Sequence, residues 1–417
     1  MNERQALHRF LRSIVSSRSR LLSFSVWIGG FLFSGCARFP VDLKQYDALT
    51  ALVVYYNVTR ACSFSFQSVT QPAVWQFVKS ELESQSVKGH LQGESVTTFG
   101  PAAPGTGAYS GAVLAPNGKI YLVPGSATSY RVIDPVAGTV NTFGPAAPGG
   151  SAFRGGVLAP NGKIYLIPFN ATSYRYIDAA TDTVGSFGTA PGGAAFQGGV
   201  LAPNGRIYMA PFNSTTYSYI DPTTDTVSSF GPAAPASSSY HGAVLGPNGK
   251  VYLVPAAVTT YRYIDTSTDT VVSFGPAAPG GDAYHGGVLA SSGRIYLVPY
   301  LSTTYRYIDT SNDTVVGFGP AAPGSNAFDG GAIGPGGRIY LVPHDAGSFY
   351  YIDPGNGSVA TYGPGGLPPG AFMGGIVAST GRVYFAPYNE VTYRYTDTGA
   401  AGSLCTSILL SGYLNKY

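Results

Sequence analysis

Seven copies of the phrase Gly-[Lys/Arg]-[Ile/Val]-Tyr-x-x-Pro place their tyrosines at Tyr121, Tyr165, Tyr208, Tyr252, Tyr296, Tyr340 and Tyr384. The intervals are 44, 43, 44, 44, 44 and 44 residues, and so regular a period leaves few architectures open. In one unit, Gly155-Gly156-Val157-Leu158-Ala159 leads through Pro160-Asn161-Gly162 to Lys163-Ile164-Tyr165-Leu166-Ile167-Pro168. Asn-Gly between two apolar runs is a strong hairpin signal, because a type I′ turn needs positive φ at both central residues. Pro168 lacks the ladder donor and ends the second strand. A third strand, Ser173 to Asp178, and a fourth, Thr183 to Gly188, complete the unit. Four short strands repeating every 40 to 45 residues or so make a propeller blade.

The two ends of the array say how it closes. Glu94-Ser95-Val96-Thr97-Thr98-Phe99-Gly100-Pro101 is a fourth strand with no first three before it, and Tyr393-Arg394-Tyr395-Thr396-Asp397 is a third strand with no fourth after it. Pairing the orphan at 95–100 with the unit begun at 371 closes a ring of seven and hides the sheet edges that an open stack would leave. An open solenoid has no reason to split one unit between its ends.

Some repeated residues read as scaffold. Asp134, Asp178, Asp221, Asp265, Asp309, Asp353 and Asp397 end the third strands, where a carboxylate accepts backbone N–H bonds in the turn. Asp182, Asp225, Asp269 and Asp313 follow four residues later; calcium wants six to eight oxygens, so turn chemistry is the better reading. Arg131, Arg175, Arg262, Arg306 and Arg394 share one mid-strand position and are expected to pair with such aspartates. The Gly-Gly and Gly-Ala pairs of the first strands suit a crowded axis.

The chain's formal charge of +3 misleads, since residues 95–398 hold 13 Lys and Arg against 15 Asp and Glu. The basic clustering that nucleic acid requires is missing there. The excess lies at Arg4, Arg9, Arg12, Arg18 and Arg20, ahead of an apolar run from Leu21 to Phe33 that is short for a membrane span. Leu32-Phe33-Ser34-Gly35-Cys36 resembles the lipobox of bacterial lipoproteins, which implies cleavage before Cys36 and its lipidation, with Phe33 where a smaller residue is usual. By the same resemblance Ala37 points to the outer membrane. Cys62 and Cys405 remain, one on each side of the repeats; in an oxidising compartment they either bridge or stay as two free thiols. Within 37–94, Tyr46 to Tyr56 and Ala73 to Leu82 read as helices.

Comparing the units with one another shows where the scaffold leaves freedom. The residue just before each Gly-Gly or Gly-Ala pair varies along the array, with six residue types in seven units: Ser110, Arg154, Gln197, His241, His285, Asp329 and Met373. The start of an innermost strand lies at the channel mouth, on the face that also carries the loop after each repeated proline. Those loops supply Phe169-Asn170, Phe212-Asn213, Tyr300, His344-Asp345 and Tyr388-Asn389-Glu390. A polar centre rimmed by aromatics is the expected ligand site. His241, His285 and Asp329 occupy successive units and, with His344 close by, form an arc able to offer two imidazoles and a carboxylate to a divalent metal.

The units resemble those of bacterial propeller lipoproteins built on Asn-Gly-Lys-Ile-Tyr-x-x-Pro and Tyr-Ile-Asp-x-x-Thr-Asp-Thr-Val-x-x-Phe-Gly, and more distantly the streptogramin-lyase, NHL and kelch propellers. The likeness covers 95–398. Streptogramin lyases imply a His/Glu constellation with Mg²⁺, whereas Glu390 is the one glutamate in the repeat body and falls in no matching motif. No Gly-x-Ser-x-Gly elbow or zinc motif occurs.

The expected protein is all-β. A lipoprotein signal at 1–36 and a partly helical segment at 37–94 precede a seven-bladed β-propeller of four-stranded blades at 95–398, and a tail at 399–417 packs on the amino-terminal segment. It is expected to be a monomer held at the outer membrane or cell surface by lipid alone. Its expected role is to bind a glycan, peptide or protein partner at the channel mouth, without nucleic acid and with no required cofactor. The alternatives are a metal-dependent lyase or hydrolase using the His241, His285 and Asp329 arc, and a purely structural envelope protein.

Overall fold

The period of 44 becomes a ring because each unit's four strands form one twisted antiparallel sheet that must bury both faces against its neighbours. The computed structural model describes residues 94–235 and 237–399, together with the backbone of Asn415–Lys416, all within one compact unit. The expected export signal, the lipobox-like stretch ending at Cys36, Cys62, Cys405 and the two expected helices lie outside the described residues.

Six blades are continuous in sequence. In the first, β2 (Tyr109–Leu114), β3 (Ile120–Pro124), β4 (Ser129–Asp134) and β5 (Thr139–Ala146) run from the axis outward. The second holds β6 (Phe153–Leu158) to β9 (Thr183–Thr189), the third β10 (Phe196–Leu201) to β13 (Thr226–Ala233), and the fourth β14 (Tyr240–Leu245) to β17 (Thr270–Ala277). The fifth holds β18 (Tyr284–Leu289) to β21 (Thr314–Ala321), and the sixth β22 (Phe328–Ile333) to β25 (Ser358–Tyr362). The seventh is composite: β26 (Phe372–Val377), β27 (Val383–Pro387) and β28 (Tyr393–Asp397) are completed by β1 (Ser95–Phe99). The closing register runs antiparallel from Ser95 opposite Asp397 to Phe99 opposite Tyr393. The ring closes as the sequence predicts. A two-residue strand, β29 (Asn415–Lys416), pairs with Gly287 and Val288 on the inner edge of β18.

Each first strand carries a bulge at its glycine pair; in β18 the register shifts between Tyr284 and Gly287. Gly286 has φ 87°, a conformation that a Cβ would strain. The following glycine answers to crowding instead, since a Cβ on Gly331 would come within 3.0 Å of Val288 in the preceding blade.

Blades are held together by a contact that the sequence reading took for turn chemistry alone. Tyr165 Oη donates to Asp225 Oδ1 of the next blade, Lys163 Nζ lies 2.7 Å from Asp225 Oδ2, and Asn161 Nδ2 donates to Pro222 O at 2.8 Å. The same set recurs at Asn117, Lys119 and Tyr121 on Asp182, at Asn204, Arg206 and Tyr208 on Asp269, and at Asn248, Lys250 and Tyr252 on Asp313. These aspartates sit at positive φ, which Asp tolerates better than most residues. Where the next blade carries Gly138 or Gly357 instead, the Asn is also gone (Thr380, Ser292), and Arg382 and Arg294 turn back to Asp397 and Asp309 of their own blades. Glu94, one residue before β1, takes the aspartate's place at the closing seam, receiving Arg338 and Tyr340 Oη. The strand-ending aspartates do the expected work; Asp221 Oδ1, for example, accepts from Thr223 N at 2.9 Å.

The mid-strand arginines depart from expectation. Arg131, Arg175 and Arg262 donate to Tyr393, Tyr130 and Tyr217 of the preceding blade, at 2.7, 3.3 and 3.0 Å. The aspartates are at the far end of the strand, beyond the reach of a guanidinium in mid-sheet, and the neighbouring hydroxyl is nearer. Fourth-strand aromatics add an edge-to-face contact in each blade, from Phe143 on Tyr121 (5.3 Å, 90°) to Phe99 on Tyr384 (5.4 Å, 89°). Such pairs contribute about 1 kcal/mol each beyond the area they bury.

Candidate functional site

Six of the seven variable residues touch another of the set, and Ser110 bonds the backbone of the next blade. Ser110 Oγ donates to Phe153 O at 2.5 Å, Arg154 Nη1 lies 3.3 Å from Met373 Sδ, and Gln197 Nε2 contacts His241 Nε2. His241 stacks on His285 with centroids 3.4 Å apart, and His285 Nδ1 is 3.2 Å from Asp329 Oδ2. Side chains on strands that crowd an axis pack against each other and exclude water. Ser110, Gln197, His241, His285, Asp329 and Met373 are therefore buried, and only Arg154 of the seven is partly exposed.

Above this layer the loops after the repeated prolines build an aromatic collar. Arg154 lies over Phe169 at 4.6 Å, and Phe169 meets Phe212 at 5.6 Å. On the other side Tyr300 stacks on His285 at 3.5 Å, meets His344 at 5.6 Å, and His344 meets Tyr388 at 6.0 Å. Gly125 and Ala256 interrupt the collar. The polar residues beside the aromatics are structural: Asn170, Asn213, Asp345 and Asn389 accept from the backbone N–H of Ala194, Ser238, Gly370 and Gly107.

One further layer was missed in the sequence. Ser151, Ala194, Ser238, Asp282 and Asn326 all adopt positive φ, two residues ahead of the first strand's aromatic. Asp282 Oδ1 lies 3.2 Å from His285 Nε2, so this imidazole is flanked by two carboxylates. The available signal was that this position also differs from blade to blade, between constant neighbours.

The electrostatics follow from burial and pairing. Desolvation pushes His241 well below the ordinary imidazole value, and the adjacent His285 adds to it. Desolvation also acts against a charged His285, but the carboxylates of Asp329 and Asp282 outweigh it and raise that group. Asp329 is held below the usual carboxylate range, since the histidines overcome the effect of its burial. The arc thus stacks an imidazole whose burial disfavours its charged form on one whose charged form two carboxylates favour.

Ligand atoms of His241, His285 and Asp329 all lie within 4.8 Å of one another, which satisfies the distance a metal needs. Direction is another matter. Two imidazole planes only 12° from parallel and 3.4 Å apart share no nearby point that lies in both planes, where their lone pairs would have to meet. As packed, these residues do not suit a shared metal ion.

No protein-family model matches the chain, and no curated protein matches it. Among solved structures, a streptogramin B lyase superposes with a TM-score of 0.62 at 16% identity, covering 73% of this chain and 97% of that one. The virginiamycin B lyase of Staphylococcus aureus gives 0.60 at 14%, covering 73% and 98%. The extracellular domain of a hybrid two-component system of B. thetaiotaomicron gives 0.57 at 8%, covering 72% of this chain and 40% of that one. At these identities the likeness carries the fold alone, and the repeat count and the strand order say what that fold is: the chain is a seven-bladed β-propeller.

Proposed function

We propose that this chain is an extracytoplasmic propeller, anchored through lipid at Cys36, that binds a ligand at the channel mouth. The observation that carries the reading is a scaffold repeated in every blade beneath mouth residues that vary along the array. A structural neighbour that is an extracellular domain is in keeping with export. Glycans, peptides and partner proteins are the candidate ligands, and the propeller acts as a monomer. Glycan and peptide arrays probed with wild type should give hits that are lost when Phe169 and Tyr300 are both changed to Ser. The His241, His285 and Asp329 triple alanine variant, which removes the buried arc together and leaves only the partly exposed Asp282 without its imidazole, should lose them too. Hits surviving in both variants, with folding verified by thermal melts, would place binding elsewhere.

The competing reading is a metal-dependent lyase or hydrolase centred on the same arc. It requires the imidazole rings to turn out of their stack. Elemental analysis of purified protein, before and after dialysis against a chelator, tests it: stoichiometric metal would favour the enzyme.

A further inference from the structure

Arg154 has no anion to answer it, and unlike Arg131, Arg175 and Arg262, which also lack a carboxylate but donate to tyrosine hydroxyls of the preceding blade, it has no hydroxyl partner either. Lys163, Lys250, Arg206, Arg294, Arg338 and Arg382 each pair with a carboxylate, and Arg394 Nη2 lies 3.5 Å from Glu390. Arg154 has no carboxylate within ion-pair distance among the described residues, and its one polar contact is the Met373 thioether, a weak acceptor. The guanidinium lies 4.6 Å over the Phe169 ring, which holds its plane while leaving donors open. It is also the one variable inner side chain that reaches solvent.

Resting on the reading of the mouth as a binding surface, we infer that Arg154 anchors the carboxylate of an acidic sugar. A planar fork of donors matches a carboxylate bidentately, which an ammonium cannot. The tilted pair Phe169 and Phe212 beside it offers an apolar platform to a sugar ring. Across the mouth, Asp282 retains a partly exposed carboxylate that accepts hydroxyls and, with Asp345 beside it, repels a second anion. A ligand with one carboxylate, several hydroxyls and an apolar ring face meets all three features. A neutral sugar leaves Arg154 unanswered, and a polyanion meets the acidic side.

Calorimetric titration of the exported protein with D-galacturonate, its methyl ester and D-galactose tests this. Galacturonate should bind at least about tenfold more tightly than the ester or galactose, because only the acid forms the charged pair. Arg154→Gln should erase that preference while leaving galactose unchanged, and Arg154→Lys should restore part of it. Equal binding of acid and ester, Arg154→Gln binding the acid as wild type does, or no heat with about 10 mM acid would each overturn the inference. So would Arg154-dependent binding of N-acetylglutamate with none of galacturonate, which would assign the site to acidic peptides. The double variant Phe169→Ser/Phe212→Ser separates the two levels. If it loses acid binding that Arg154→Gln retains, the anchor is wrong and the mouth stands; if neither variant changes binding, both fail.

Discussion

The two faces of the ring use the same kinds of residue to opposite ends. On the turn face, Asp225 and its counterparts at 182, 269 and 313 receive a tyrosine and a cation from the preceding blade, the same way each time. At the mouth, Asp329, His285 and His241 form one chain of contacts that occurs once. The repeated carboxylates hold neighbours together. The unrepeated ones set up a local field over a closed floor, and only Arg154 and the collar meet solvent. A charge pair copied around a ring is a joint; a charge constellation found once within identical joints marks a place where the fold alone does not dictate the residue.

That contrast can be broken most severely at Glu94. Removing its carboxylate leaves Arg338 with only the longer 3.9 Å contact to Asp353, so Glu94→Ala should cost about 3 kcal/mol of unfolding free energy, read from urea melts, with ligand binding at the mouth unchanged below the transition. Asp313→Gly imitates the seams that naturally carry Gly138 and Gly357. It should cost about 2 kcal/mol by leaving the Tyr252 hydroxyl and Lys250 short of an acceptor. A loss as small as that of an ordinary surface change would show that the joint carries no load.

His285→Gln sharpens the mouth side. The folded state binds this proton more tightly than the unfolded chain, so its contribution is full below an unfolded value of about 6.5 and is lost as pH rises through the higher folded value. The wild type should therefore lose about 1 kcal/mol per pH unit between those two values, and the variant should not. His241 acts with the opposite sign: its charged form is disfavoured in the fold, so it costs stability as pH falls below about 6.5. A slope above about pH 6.5 that is the same in wild type and variant would refute the carboxylate hold on the His285 proton. The smallest effect is a gain. Thr380→Asn with Gly138→Asp should install the missing joint at the seam between the seventh and first blades, where nothing lies within 4 Å of the new Cβ. The expected stabilisation is about 0.5–1 kcal/mol, seen as a higher Tm.

The seven tyrosine positions, the Asn-Gly hairpins and the split unit gave the blade count, the strand order and the closing pair, because each depends on local chemistry and period. Asp225 shows where legibility ended. Its partner Tyr165 is 60 residues away, and only the disappearance of Asn together with Asp at Ser292/Gly357 and Thr380/Gly138 hinted at the joint. Arg131 was misjudged for a related reason: spacing along a strand says nothing about which hydroxyl the next blade presents.

At the mouth, variability located the seven positions, yet it could not tell that six would be buried. The sequence by itself determined a seven-part toroid and where its side chains are free to differ, since backbone period and turn residues act over a few neighbours. Only the tertiary structure decided which of those side chains meet solvent, which carry charge and how the rings are stacked, because burial and electrostatics depend on groups brought together from every blade at once.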